Sequence, residues 1–230
     1  MIDFLQGDVF DNIKKLDDNS IDCVVTSPPY WGLRDYGVIG QLGLEPTYQE
    51  HIQNIVKLFR AMKPKLKNSA TIWLNYGDSY NSNNGFCRNK GKYKREGRDG
   101  GSNDKKLIKD NIIKEKDLMM IPNRVAIALQ ESGWWIRSEI IWHKPNPMPE
   151  SVRDRPTSCH EKIWLITKSK KYYYDADAIR EPLVSSLANV KIKSNGKNKR
   201  NVWTVTTKPC KEAHFATFPK DLIEPCIKAG

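Results

Sequence analysis

Nowhere does this 230-residue sequence approach the roughly 20 consecutive apolar residues that a membrane-spanning helix requires. The opening "MIDFLQGDVF" carries acids where a secretory leader carries bases, so the chain reads as a cytoplasmic protein. Five scattered cysteines, Cys23, Cys87, Cys159, Cys210 and Cys226, include no C-x-x-C pair. Neither a disulfide framework nor a zinc site follows from them, and they read as reduced thiols. Internal repeats are also absent. Acidic residues are scarce in two stretches: seven Lys/Arg and no Asp/Glu stand between Lys191 and Lys211, and eleven against five between Arg88 and Lys116. Those surpluses together exceed the formal net charge of +11, which leaves the rest of the chain slightly acidic. Basic charge gathered in two Gly-, Asn- and Ser-rich segments suits loops that track a phosphate backbone, although solvated linkers have the same composition. Nucleic acid is the first partner to consider, through Lys92, Lys94, Arg95, Lys197, Lys199 and Arg200.

What the sequence does contain is an alternation of strand and helix patterns. "IDCVV" (21–25), "ATIWLN" (70–75), "SEIIWH" (138–143) and "KIWLITK" (162–168) are short β-branched or aromatic runs that predict buried strands. "TYQEHIQNIVKLFRAMKPKL" places Ile52, Ile55, Val56, Leu58 and Phe59 near one helical face, and "LMMIPNRVAIALQESGWW" does the same with Val125, Ala126 and Leu129 before a closing Gly133. The predicted architecture is one α/β domain over 1–230, with helices on both faces of the sheet and basic insertions at about 83–116 and 183–212.

The first strand ends in "TSPPYW". Ligands of open α/β sheets bind beyond the carboxyl ends of strands, where this corner falls. Pro28 and Pro29 each push the preceding residue out of the helical region, which makes the backbone stiff and extended. Neither proline has an N–H, so their carbonyls meet no neighbouring donor. An extruded nucleobase needs an aromatic face and acceptors around its edge. Tyr30 offers the face, worth about 1–3 kcal/mol of stacking, and Ser27 Oγ with the Pro28 carbonyl offers acceptors for an exocyclic amine. Two hydrogen bonds from that amine to fixed oxygens favour a tetrahedral nitrogen whose lone pair attacks an electrophilic carbon, without a strong base. The alternative is a diproline strand end with both aromatic rings packed inward.

The quoted residues resemble the catalytic "(D/N/S)PP(Y/F/W)" motif of the amino-methylating DNA methyltransferases that use S-adenosylmethionine, in the circular order with that motif near the N-terminus. "LQGDVFDNIKKLDDNSIDCVVTSPPYWGLRDYG", "TIWLNYGDSYN", "RSEIIWHKPNPMPESVRDRPT" and "AHFATFPKDLIEPCIKAG" resemble successive family segments. The resemblance implies a Rossmann-like methyltransferase sheet and a catalytic group of Ser27, Pro28, Pro29 and Tyr30. It further implies Asp8 near the cofactor adenine, with His214, Phe215, Phe218 and Pro219 bordering its methionine part. As alternatives, Asp8 is a turn or helix-cap residue and "HFATFP" a core segment. Trp31 and Arg34, just past the corner, and His143, Lys144 and Asn146 in the stiff "HKPNPMPE" stretch are placed at double-stranded DNA, against the alternative of a plain proline-rich connection. Asn75, Gly77 and Asp78 either line the cleft or form a tight polar turn, while "YYYD" (172–175) reads as packing.

Ser27, where adenine-specific relatives more often carry aspartate or asparagine, favours cytosine N4 and leaves adenine N6 open. Rival readings are a DNA-binding remnant without catalysis and an amino-methyltransferase acting on RNA or protein glutamine. One family feature is missing: no G-x-G occurs anywhere, although the family's cofactor loop is usually Phe-x-Gly-x-Gly. The sheet is therefore expected to be incomplete at the C-terminus. On that expectation the chain alone binds S-adenosylmethionine weakly or not at all and methylates little: the coding sequence is either truncated or split, in the latter case with a second chain carrying the glycine-rich motif that completes the sheet.

Overall fold

The computed structural model describes residues 2–82, 112–182, 196–208 and 217–230. Lys92, Lys94, Arg95, His214 and Phe215 lie outside the described residues.

All four predicted strands form, most of them longer than the apolar runs that marked them. They are β1 (Ile21–Thr26), β2 (Leu66–Tyr76), β3 (Trp135–His143) and β4 (His160–Thr167), joined by a short β5 (Val202–Thr204). The sheet order is β1-β2-β4-β3-β5. β1 runs parallel to β2, β4 runs antiparallel to both β2 and β3, and β5 is parallel to β3. The carboxyl ends of β1, β2 and β3 and the amino end of β4 therefore meet along one edge.

Period-two alternation sorts the side chains onto two faces. Ile72, Leu74 and Tyr76 of β2, with Trp164 and Ile166 of β4, face one core, while Trp73, Ile163 and Leu165 face the other. The helices α1 (Val9–Lys14), α2 (Tyr48–Met62), α3 (Ile121–Glu131) and α4 (Lys220–Ala229) complete the fold. The first core takes Ile55 and Phe59 of α2 and Val125 and Leu129 of α3, and the second takes Leu222 and Cys226 of α4. Both sheet faces are thus covered, as the alternating pattern requires.

Helix ends follow local chemistry. Thr47 caps α2 by accepting from the Glu50 N–H. Gly133 closes α3 at φ +88°; its N–H bonds to the Gln130 carbonyl and that of Trp134 to the Leu129 carbonyl, the paired arrangement in which a left-handed residue satisfies the last carbonyls. Asp8 caps α1, its carboxylate accepting from Phe10 at 2.8 Å and Asp11 at 3.4 Å. Among the described residues, nothing pairs with the outer side of β1, no helix is long and apolar enough to cross a membrane, and no side-chain cluster could hold a metal ion.

Candidate active site

The meeting edge brings together side chains from β2, from β4, from the residue that follows β3 and from the corner after β1. Ser27 Oγ lies 3.0 Å from the Tyr30 hydroxyl. That hydroxyl stands 2.8 Å from Glu161 Oε2 and 2.9 Å from Asn75 Oδ1. Asn75 donates its amide to the Lys162 carbonyl at 3.1 Å, which turns its oxygen toward Tyr30. Lys144 donates to the other Glu161 oxygen, and both side chains are less than a fifth exposed. Burial, reinforced by the Glu161 charge, pushes the Tyr30 phenol well above its ordinary value, so it remains an O–H.

Donor counting fixes the direction of this network. Tyr30 has one proton and faces two acceptors, a carboxylate and an oriented amide oxygen. Its proton is committed to them, so the Ser27 hydroxyl must donate to Tyr30. Ser27 Oγ then keeps lone pairs and no proton for anything else it meets. A hydroxyl that is otherwise indifferent has been made into an acceptor.

A second buried chain supports the corner from beneath. Glu45 Oε2 accepts from His51 Nδ1 and from the Gly43 N–H, both at 2.8 Å, and Asn54 donates to Oε1 at 3.2 Å. His51 Nε2 hydrogen-bonds the Tyr76 hydroxyl, which also lies 3.4 Å from the Pro29 carbonyl. His51 and Tyr76 are completely buried. Burial raises the Glu45 carboxyl, but its hydrogen bond and charge pairing with His51 outweigh this and hold it below its ordinary range. The Tyr76 ring stacks on that of Tyr30 with centroids 4.7 Å apart. Gly77 completes the contact, because a Cβ there would stand 2.7 Å from Tyr30 Cε2.

Beside this assembly is a shallow recess with room for about one water molecule, lined by Tyr30, Trp31, Leu33, Gly77, Asp78, Ser79 and Ile121. An extruded base would have to widen it. Asp78 is held at its rim. Its carboxylate accepts from the Ile121 N–H at 3.1 Å, capping α3 where left-handed Met120 offers no side-chain cap.

Two residues expected at DNA are engaged within the protein. Trp31 is 4% exposed, packs edge-on against Tyr48 and donates its indole N–H to the Glu45 carbonyl at 3.0 Å. The Lys144 ammonium is paired with Glu161 and lies over the Trp142 ring.

Other predicted residues are placed as follows. His143 Nδ1 lies 3.2 Å from Thr204 Oγ1, and Asn146 exchanges two hydrogen bonds with the Thr207 backbone, tying the proline-rich stretch to the segment after β5. The Arg34 carbonyl accepts from Gln41. Lys197 and Arg200 both pair with Glu181, and Lys199 lies over the Trp203 ring. Phe218 packs against the second core, and Pro219 is buried at the start of α4. For the adenine and methionine parts of a cofactor, the described residues thus offer one carboxylate already capping a helix and one half-buried ring. That fits S-adenosylmethionine only in part.

Glu161, Glu45, His51 and Tyr76 were not singled out from sequence. His51 had a signal: it stands four residues before Ile55 and eight before Phe59, on the buried stripe of α2, where a polar residue needs a partner.

Comparison with known proteins agrees with this geometry. A family described as DNA methylase matches residues 21–230. Type II methyltransferase M.SmaI of Serratia marcescens is 46% identical over 224 residues, covering 97% of this chain and 73% of its own. M.Cfr9I of Citrobacter freundii is 45% identical over 227 residues, covering 98% and 71%. Among solved structures, the PvuII DNA methyltransferase (cytosine-N4-specific) superposes with a TM-score of 0.62 at 16% identity, over 97% of this chain and 68% of that one. M1.HpyAVI in complex with SAM gives 0.51 at 15%, over 100% and 77%. The structural likenesses establish a shared fold, and the sequence matches establish descent: the chain belongs to the N6/N4 DNA methylase family.

Proposed function

We propose that this chain methylates an exocyclic amine of a base extruded from double-stranded DNA, cytosine N4 in preference to adenine N6. S-adenosylmethionine, the family's methyl donor, supplies an electrophilic carbon. The observation that carries the reading is the fixed polarity of Ser27: its oxygen, with the Pro28 carbonyl, accepts from the two protons of an amine. Accepting both draws the nitrogen toward tetrahedral geometry and frees its lone pair. A bound S-adenosylmethionine would supply the methyl carbon, its S–C bond breaking as the N–C bond forms; the nitrogen's surplus proton would pass to Ser27 Oγ, while the proton of Ser27 passes to Tyr30 and that of Tyr30 to Glu161. Charge created at the amine thus ends on a carboxylate paired with Lys144. The preference for cytosine rests on serine at the first motif position.

The chain works as one domain, in which the basic segments at about 83–116 and 183–212 are insertions that track phosphates. Their charge, concentrated far beyond that of the remaining sequence, supports this role. Among the described residues β1 is an edge strand open on one side, and an open edge is a template for a further strand. A second chain bearing the glycine-rich turn would pair there.

The test is single-turnover transfer of labelled methyl groups to DNA with the protein, completed by a chain bearing the glycine-rich turn, in excess. Ser27→Ala and Tyr30→Ala should each lower transfer by about a hundredfold or more and leave salt-sensitive DNA binding in place. Transfer that survives both substitutions refutes the site.

A further inference from the structure

Between Gly32 and Gly43 the chain leaves the Pro29–Tyr30 corner and returns to it. The Gly32 N–H bonds to the Gly43 carbonyl at 2.6 Å. At Gly43, with φ +93°, a Cβ would stand 2.8 Å from the Tyr30 carbonyl oxygen and 3.2 Å from Pro29 Cβ, so only glycine lets the returning strand press against the corner. The stem of the loop is therefore fused to the candidate site, and Leu33 at its base lines the recess.

The loop is held by its own hydrogen bonds. Gln41 accepts from the Tyr36 N–H at 2.7 Å and donates to the Arg34 carbonyl at 2.9 Å. Asp35 accepts from the Gly37 N–H at 2.7 Å, and the Gln41 N–H reaches the Val38 carbonyl at 3.3 Å. Gly37 and Gly40 take the two left-handed turns, at φ +73° and +79°.

This braced loop ends in apolar side chains turned to solvent: Ile39 is 97% exposed and Val38 63%. An isolated exposed leucine or valine on a protein surface needs no explanation. Two adjacent β-branched residues at the tip of a braced projection are a different case, because the bracing holds them away from the core. Extrusion of a base leaves a gap in the stack and costs free energy that the protein must return. Proteins that unstack base steps insert apolar wedges of this type.

We infer that Val38 and Ile39 form a wedge that enters the DNA duplex beside the target and occupies the space the extruded base vacates. The inference rests on the function proposed above. Continuity of the loop stem with the corner selects DNA as the occupant, since whatever carries a base to Tyr30 must pass the tip.

Sequencing of DNA methylated by the unaltered protein gives the recognition site, from which two duplexes are made, one with the target base paired and one with the target opposite an abasic position. Val38→Ala/Ile39→Ala should slow single-turnover transfer on the paired duplex about tenfold or more, as expected if part of the extrusion cost is no longer returned. On the abasic duplex, where no pair must break, the slowing should shrink to within twofold. Ile39→Phe should restore the paired rate, and DNA affinity should stay within twofold throughout. Equal slowing on both duplexes, no slowing on either, or a loss confined to S-adenosylmethionine affinity overturns the inference while leaving the function standing. No transfer to any DNA by the unaltered protein completed with the chain bearing the glycine-rich turn refutes the function and the wedge together.

Discussion

Glu161 Oε2 stands 2.8 Å from the Tyr30 hydroxyl, and this contact, with that of Asn75 Oδ1, sets the direction of every hydrogen bond from there to Ser27. Replacing a carboxylate by an amide keeps the size and removes the obligation, because an amide can turn its NH₂ toward Tyr30. Asn75 Oδ1 still accepts from Tyr30, so what is lost is the second fixed acceptor and the carboxylate on which the relayed proton ends. Glu161→Gln should therefore slow methyl transfer about a hundredfold with DNA affinity within twofold, read by single-turnover kinetics beside filter binding. An unchanged rate would show that the relayed proton does not end on Glu161.

The buried Glu45–His51 pair gives a stability prediction. His51→Ala leaves the carboxylate inside without its main partner, a loss of about 3–5 kcal/mol for breaking such a pair. Glu45→Gln/His51→Gln together should cost less than the single alanine change, because no charge remains to be compensated. Urea unfolding of the variants measures both. A double variant less stable than His51→Ala would mean that the charges themselves, rather than the pairing, hold the corner.

Acid should act through the same carboxyl. The folded-state value of Glu45 lies below its ordinary 4.5, so its contribution is fully present above that value and is lost as pH falls through the depressed one. Between pH 5 and 3, a range chosen to span roughly the unfolded carboxylate value, the unaltered protein should lose stability more steeply than Glu45→Gln. Parallel pH profiles in chemical denaturation would contradict the pairing.

Gly77 and Tyr30 should couple. A methyl group at Gly77 meets Tyr30 Cε2 at 2.7 Å, an overlap that costs about 1–3 kcal/mol where the neighbour cannot yield, and this ring is stacked on Tyr76. In a Tyr30→Ala background the same Gly77→Ala change should cost almost nothing. A double-mutant cycle reads the difference as a coupling energy. Simple additivity would mean that the ring moves aside.

Particular residues show how far the sequence could be read. The β-branched and aromatic run at 70–75 predicted a buried strand, and the cluster at Ile55, Leu58 and Phe59 predicted α2, because burial imposes a composition and a period on each element. Gly133 announced a helix end because only a left-handed residue closes that turn. "SPPY" marked the corner, since two prolines allow the backbone few conformations. Glu161 was hidden because its role depends on the antiparallel pairing of β4 with β2, which sets Asn75 opposite Ile163 and carries the preceding strand residues to the corner. That pairing joins positions far apart in the chain. The packing of Trp31 was hidden for the same kind of reason: next to Tyr30 in sequence, it packs against Tyr48, and its surroundings come from a helix that begins seventeen residues later. His51 looked like one more helical residue until Glu45 and Tyr76 were brought against it.

The most direct test of amine methylation at this corner is the chemistry of the product. DNA incubated with the protein, the chain that completes its cofactor site and isotopically labelled S-adenosylmethionine is digested to nucleosides, and the labelled species are identified by mass spectrometry. The account predicts label in N4-methylcytosine, absent when Ser27 is replaced by alanine. Label in N6-methyladenine alone would contradict the choice of base. Label in no exocyclic amine, or equal labelling by Ser27→Ala, would contradict the mechanism itself.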